Sequence, residues 1–112
     1  MLYTCIISDN KQFLRLYNKG NKIFTPFMVV YYQYNKLPYN RIGLTAGKKV
    51  GNAVKRNHAR RLIRAAYIEN EINLPVGYDF VFVARSAINE AKYSVVSDIF
   101  KRKIIAEIAK KK

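Results

Sequence analysis

The residues best suited to chemistry lie in one predicted helix, Asn52–Ile68 (NAVKRNHARRLIRAAYI). At about 100° per residue, its apolar residues fall on one side and its basic residues on the other. The apolar side is predicted to hold Val54, His58, Ala59, Leu62, Ala65 and Ala66, and the opposite side Arg56, Asn57, Arg60, Arg61 and Arg64. Guanidinium groups bind phosphate oxygens through paired hydrogen bonds, so four of them on one face indicate a phosphate-rich ligand.

Two further features of this helix favour the same kind of ligand. Asn57 could reach a ribose 2′-hydroxyl or a base edge, and Gly51 and Asn52 stand at the helix start, where free amides attract a second phosphate. The alternative is a merely solvated basic face. It is disfavoured because four arginines with no acidic residue three or four positions away would destabilise one another.

The distribution of charge along the chain also predicts a polyanionic partner. The 112 residues include 21 Lys and Arg and 7 Asp and Glu, a formal net charge of +14, and residues 10–68 contain no acid. Like charges repel, so this stretch is costly unless a polyanion supplies the missing charge, and nucleic acid is the natural candidate. A merely solubilising surface and an anionic membrane surface are the alternatives.

Length and composition predict one packed domain, residues 1–112, and its charge predicts that this domain binds RNA or DNA. Half of the residues are hydrophobic, which excludes a purely disordered basic tail. The single cysteine, Cys5, cannot form an internal disulfide, so we expect a reducing, cytoplasmic location. Apolar stretches such as 27–32 and 80–84 are far shorter than the roughly 20 residues that span a bilayer, so no membrane-spanning segment is predicted, and we expect no membrane partner.

Periodicity and turn residues predict six elements. Ser8 or Asp9 caps a first helix that stops at Gly20. Two strands (residues 26–34 and 41–45), a long helix (52–70), a strand (78–85) and a helix from about Ser94 follow. The order helix–strand–strand–helix–strand–helix indicates an α+β fold (an α/β sandwich), a single small sheet covered by helices, as in small ribosomal proteins.

Catalysis by the chain itself is disfavoured. His58 is the only histidine and is predicted on the apolar side of its helix, where a partly buried histidine is a better interpretation than a general base. With one Cys and one His no zinc site can be built, and the seven acids are scattered. We therefore expect no catalytic residue and no metal or cofactor bound by the protein alone.

The segment Gly43–Arg64 (GLTAGKKVGNAVKRNHARRLIR) closely resembles the signature of the protein component of bacterial ribonuclease P, G-N-A-V-x-R-N-x-x-[KR]-R-x-x-R. Weaker similarity covers residues 12–17 with Gly20, the strand at 27–31, and the late strand that ends FVAR. The apolar segment 3–7 departs from the family, which usually has basic residues there.

The resemblance implies a division of labour. The family's RNA subunit holds the catalytic Mg²⁺ ions and removes the 5′ leader of precursor tRNA, while the protein, inactive alone and needing no protein partner, binds both RNAs. By position, the residues that bind the RNA subunit would be Gly51, Asn52, Lys55, Arg56, Asn57, Arg60, Arg61 and Arg64. The leader would lie in a cleft between the first helix and the sheet, on Phe13, Tyr17, Tyr31, Lys48 and Arg85, the last two near the scissile end.

Aromatic rings in such a cleft suit a subunit that serves many precursors, because they stack on single-stranded bases with little sequence preference. For each ring the alternative is a place in the core, and for Tyr31, next to Tyr32 and near Tyr34, the sequence leaves both open. The alternative function is that of a small ribosomal or other structural RNA-binding protein without a nuclease role. It would use the same basic helix and need no cleft.

Overall fold

One mixed sheet of five strands organises the chain in the computed structural model, which describes residues 1–7 and 9–110. The strands are β1 (Thr4–Ile6), β2 (Asn21–Phe24), β3 (Met28–Tyr34), β4 (Asn40–Ala46) and β5 (Tyr78–Ala84). Their order across the sheet is β1-β4-β5-β3-β2. Strands β1 and β5 run parallel to β4, whereas β3 is antiparallel to β5 and β2 is antiparallel to β3.

Helices cover the two faces of this sheet unequally. They are α1 (Asn10–Lys19), α2 (Ala53–Asn70), α3 (Tyr93–Ile99) and α4 (Ile105–Lys110), the last two joined by one stretch of π-helix (Phe100–Ile104). Short 3₁₀ turns follow α2 (Glu71–Asn73) and β5 (Ser86–Glu90). Helices α2, α3 and α4 bury the main core on one face, and α1 covers part of the other. The predicted α+β class is confirmed.

Strand alternation gives each face its own core. Tyr32 and Phe80 are buried under α2, while Tyr31 and Val81, their neighbours in sequence, point towards α1. The choice left open for Tyr31 is thereby decided in favour of the α1 face.

The buried side of α2 differs from the predicted one. Ala59, Ile63, Ala66, Tyr67 and Asn70 are buried, whereas Val54, His58 and Ala65 are exposed. The two largest of these buried side chains, Ile63 and Tyr67, set the orientation. The Tyr67 ring packs against Phe80, Phe82 and Phe100 with centroids 5.9–6.4 Å apart. The prediction of a partly buried His58 is therefore wrong.

The ends of α1 are as the sequence predicts. The Asp9 carboxylate accepts a hydrogen bond from the Lys11 amide at 2.9 Å, and Gly20 follows the last turn. The alternative cap, Ser8, lies outside the described residues, as do the last two residues of the basic tail 110–112.

Two strands were not predicted because they are short and lie at the sheet edges. Strand β2 forms a hairpin with β3, closed by Thr25, whose hydroxyl donates to the Met28 carbonyl at 2.7 Å and accepts from the Met28 amide at 3.0 Å. Strand β1 uses the apolar N-terminal segment and pairs with β4. The element order therefore gains one strand before α1 and one after it.

Glu71 anchors β1 to the end of α2. Its carboxylate accepts from the Leu2 amide at 2.8 Å, from the Tyr3 amide at 3.3 Å and from the Thr4 hydroxyl. Burial alone would raise the pKa of Glu71. The hydrogen bonds and the nearby N-terminal ammonium together outweigh burial and lower the pKa below its usual value of 4.5.

The docking of β1 is therefore expected to depend on pH. A carboxylate whose pKa is lowered by folding stabilises the fold above its ordinary pKa, and the contribution is lost as pH falls through the lowered value. We predict that amide exchange in β1, corrected for intrinsic rates, accelerates below about pH 4. In the Glu71→Gln variant, amide exchange in β1 should already be fast at neutral pH. The free energy of unfolding should fall by about 1–3 kcal/mol. Hydrogen exchange measured by mass spectrometry checks this, and the exposed Glu90→Gln is the control. Equal β1 protection in both variants would contradict it.

Candidate nucleic-acid interface

Helix α1 crosses the sheet on the face opposite α2 and lines one side of an open cleft. Near its start, the Phe13 ring lies directly over Gly43 of β4. A Cβ added at Gly43 would stand 2.6 Å from two atoms of that ring, so only glycine leaves room for it. One turn later, the Tyr17 ring meets Tyr31 of β3 edge to face, with centroids 4.9 Å apart. The helix therefore runs across the strands from β4 towards β3.

A buried carboxylate, that of Asp79 on β5, fixes α1 in this place. The Asp79 side chain is 1% exposed and accepts from Arg15 of α1 at 2.8 Å. Arg41 of β4 donates to it through two nitrogens, at 2.7 and 2.8 Å, and the Asn35 amide donates at 2.8 Å. The charge-assisted bonds tie α1, β4 and β5 together on the cleft face.

The three predicted leader-binding aromatics form one continuous group. Phe13 and Tyr17 have ring centroids 6.4 Å apart, Tyr17 contacts Tyr31, and all three rings are half-buried. Burial raises the pKa of the Tyr17 phenol above its ordinary value of 10.0. The rings thus offer partly exposed apolar faces along one side of the cleft, as base stacking requires.

The two predicted basic residues of the cleft, Lys48 and Arg85, also lie together. Lys48 follows β4 and Arg85 follows β5, and both line a cavity of about 500 Å³ at the ends of these strands. Both are exposed. The Arg85 guanidinium donates to the Thr25 carbonyl at 2.9 Å, so it leans across the sheet towards the β2–β3 turn. A phosphate chain crossing the cleft would meet positive charge here.

The arginines of α2 form a second surface, beside the edge of β4. Asn57, Arg60, Arg61 and Arg64 surround a shallow depression whose floor includes Leu44. The Arg60 guanidinium donates to the Asn57 side chain at 2.9 Å, which holds the two at a fixed spacing. Within residues 1–7 and 9–110, none of these arginines is paired with a carboxylate. Their charge is left for an external anion.

The first turn of α2 is partly occupied by its own side chains. Gly51 has a φ of +138°, a conformation that favours glycine, and turns the chain into the helix. The Asn52 side chain accepts from the Lys55 amide at 3.0 Å, and Arg56 donates to the Gly51 carbonyl at 3.0 Å. One of the amides predicted to be free for phosphate is therefore capped, while the Lys55 ammonium remains exposed.

Two residues of the cleft face, Lys22 and Phe24, were not predicted, because β2 was not predicted. Ile23 between them is buried in the α2-side core, so both point to the α1 face. The Lys22 ammonium stands 5.5 Å from the centroid of the Tyr31 ring. The alternation Lys22-Ile23-Phe24, which begins two residues after Gly20, is the signal that predicts such a strand.

Neither a metal site nor a membrane-spanning helix is found among the described residues. Across residues 1–7 and 9–110, no three His, Cys, Asp or Glu side chains converge as a metal site requires. In the same part of the chain, no helix has the length and apolar character needed to cross a bilayer.

Similarity to known proteins extends over nearly the whole chain. Residues 3–107 match the family model described as Ribonuclease P. The Ribonuclease P protein component of Clostridium acetobutylicum is 40% identical over 97 residues, which cover 85% of this chain and 82% of that protein. That of Thermoanaerobacter sp. (strain X514) is 33% identical over 99 residues, 88% and 85% of the two chains.

Solved structures agree with the sequence matches. The RNase P protein of Staphylococcus aureus superposes with a TM-score of 0.79 at 29% identity, covering 94% of each chain. That of Thermotoga maritima has a TM-score of 0.75 at 25% identity, covering 82% of this chain and 87% of the other.

Proposed function

The chain belongs to the ribonuclease P protein family, the protein component of the enzyme that matures the 5′ end of tRNA, and from this we propose how its two surfaces divide the work. It is a subunit of an endoribonuclease, and its partner is the enzyme's RNA subunit. In our proposal α2 binds the RNA subunit and the cleft under α1 holds the leader of precursor tRNA.

We propose that the RNA subunit, with divalent ions such as Mg²⁺, carries the chemistry and that the protein alone is inactive. The placement of the acids supports this. Asp79 and Glu71 are buried in internal hydrogen bonds, and Glu69 accepts from Tyr93 and Ser97 between α2 and α3. These carboxylates are engaged in holding the fold together, which leaves them poorly placed to coordinate ions at a cleavage site.

The arginine surface of α2 suits a structured RNA. Its arginines project from one rigid helix, the Arg60 guanidinium is held by Asn57, and planar guanidiniums bind neighbouring phosphates with little loss of order. The proposed contacts are Gly51, Asn52, Lys55, Arg56, Asn57, Arg60, Arg61 and Arg64. Of these, Asn52 and Arg56 also shape the first turn, so we expect their replacement to alter the helix start as well as the contact.

The cleft suits a single strand, and the observation that carries this assignment is the row of half-buried rings Phe13, Tyr17 and Tyr31 beside the exposed pair Lys48 and Arg85. Rings accept bases of any identity, while the basic pair neutralises the backbone. A leader of variable sequence needs this combination. A structural RNA-binding protein without a nuclease role would have no use for such a cleft, and the family match does not support that alternative.

Reconstitution tests the proposed division directly. Purified protein mixed with ribonuclease P RNA should restore cleavage of precursor tRNA at low Mg²⁺, where the RNA alone is slow because phosphate repulsion is poorly screened. The protein alone should cleave nothing, and no further protein should be needed. Cleavage by the isolated protein, or a requirement for another protein, would contradict the proposal.

The cleft is tested by comparing precursor with mature tRNA in the reconstituted holoenzyme. Phe13→Ala should weaken precursor binding by about 1–3 kcal/mol and leave mature tRNA binding unchanged. Gly43→Ala should have the same selective effect, because the new methyl group must displace the Phe13 ring while the fold persists. Leu14→Ala, also on α1 but 55% exposed, is the matched control. An equal reduction in affinity for both tRNAs would exclude Phe13 from leader binding.

The α2 surface is tested by assembly with the RNA subunit. The double variant Arg60→Ala, Arg64→Ala should weaken assembly and lower the slope of log affinity against log salt by about 1 for each phosphate that the protein no longer binds. Filter binding or titration calorimetry across salt concentrations measures both. Arg102→Ala, whose side chain is 81% exposed on the C-terminal helical segment, is the control. An unchanged slope in the double variant would place the RNA contact elsewhere.

A further inference from the structure

Phe24 places an exposed aromatic ring at the edge of the sheet, outside the group of cleft rings described above. It is 60% exposed, ends β2, and points to the same face as the cleft aromatics. Lys22, two residues earlier on that face, contacts the Tyr31 ring. The exposed ring therefore lies on the cleft face of the strand that pairs with Tyr31, two residues beyond Lys22.

The direction of the cleft leads to this edge. The rings of α1 pass from β4, where Phe13 covers Gly43, to β3, where Tyr17 meets Tyr31. The next strand in the sheet is β2. At about 4.8 Å between strands, the path from β4 to β2 measures ~14 Å. At 3.4 Å per stacked base, it holds about four bases.

The basic residues of the cleft also point towards the β2 edge of the sheet. Lys48 follows β4 and Arg85 follows β5, and the Arg85 guanidinium reaches the carbonyl of Thr25, the residue directly after Phe24. Lys48, Arg85 and the exposed ring of Phe24 therefore follow one another, in that order, across the ends of the strands. A nucleic-acid backbone that runs along Lys48 and Arg85 would reach Phe24.

Given the leader cleft proposed above, on which this step rests, we propose that Phe24 and Lys22 form an additional nucleotide subsite over β2. Counted from the Lys48 end of the path, the phenyl ring stacks on about the fourth leader base or the one after it, and the ammonium contacts the adjoining phosphate. Because neither contact reads a base edge, the subsite is indifferent to sequence and selects for leader length.

Leader length supplies the test, in holoenzyme reconstituted with ribonuclease P RNA. Precursors carry a leader of about two or about eight nucleotides, on either side of the ~four-base path. Phe24→Ala should weaken binding of the long-leader precursor about tenfold and leave the short-leader precursor unchanged, whereas Phe24→Tyr should restore the affinity. Lys22→Ala should lower the salt slope by about 0.7, with the long leader only. The matched control is Tyr34→Ala, which removes a ring of 59% exposure on the opposite face of the sheet.

The outcomes separate this subsite from the cleft itself. An effect of Phe24→Ala that is equal for both leaders, or absent, overturns the subsite, as does failure of Phe24→Tyr to restore binding. If Phe13→Ala still discriminates precursor from mature tRNA in those experiments, the cleft stands and only the subsite falls. If Phe13→Ala does not discriminate either, both fall.

Discussion

The arrangement of the cleft depends on one buried carboxylate. Asp79 lies in the middle of the sheet at 1% exposure, where an unpaired charge would cost several kcal/mol. Arg41 satisfies it from the neighbouring strand, and Arg15 satisfies it from α1. The helix is thereby held at one position over the sheet, and that position places Phe13 on Gly43 and Tyr17 against Tyr31. Leu16, the one fully buried residue of α1, packs on Val81, and the half-buried rings of Phe13 and Tyr17 complete a small apolar cluster around it.

The placement of the few acidic side chains also determines where positive charge is exposed on the protein. Several of its few acids point inwards or bridge helices: Asp79 and Glu71 are buried, and Glu69 is bound by Tyr93 and Ser97. Among the described residues, the arginines of α2 that face outwards have no carboxylate partner, which explains how a net charge of +14 becomes exposed positive surface. In the proposed division, RNA bound to these arginines would relieve their mutual repulsion, and the folded protein would gain stability from its partner by mass action.

Patterns within the sequence predicted what is regular and local. Runs rich in β-branched and aromatic residues predicted β3 and β5, the alternation of Ile42 and Leu44 predicted β4, and the helical period predicted α2 with its arginines. They missed β1 and β2, since three or four residues at a sheet edge carry little pattern, and with β2 they missed Phe24. The facing of Tyr31 and the buried side of α2 depend on packing partners. The pair Arg15–Asp79, 64 positions apart, follows from no periodicity at all.

The two proposed RNA surfaces meet at a single loop, and this adjacency has a mechanical consequence. Strand β4 carries Gly43 at the cleft and ends at Ala46, and five residues later Gly51 turns the chain into α2. Lys48 lies on this loop, between the rings that would hold the leader and the arginines that would hold the RNA subunit. In the proposed division, an RNA bound along α2 would therefore stand next to the Lys48 end of the cleft, within reach of the first phosphodiester of a leader held there. The loop is short and flanked by a strand and a rigid helix, so the distance between the two bound RNAs is set by the fold.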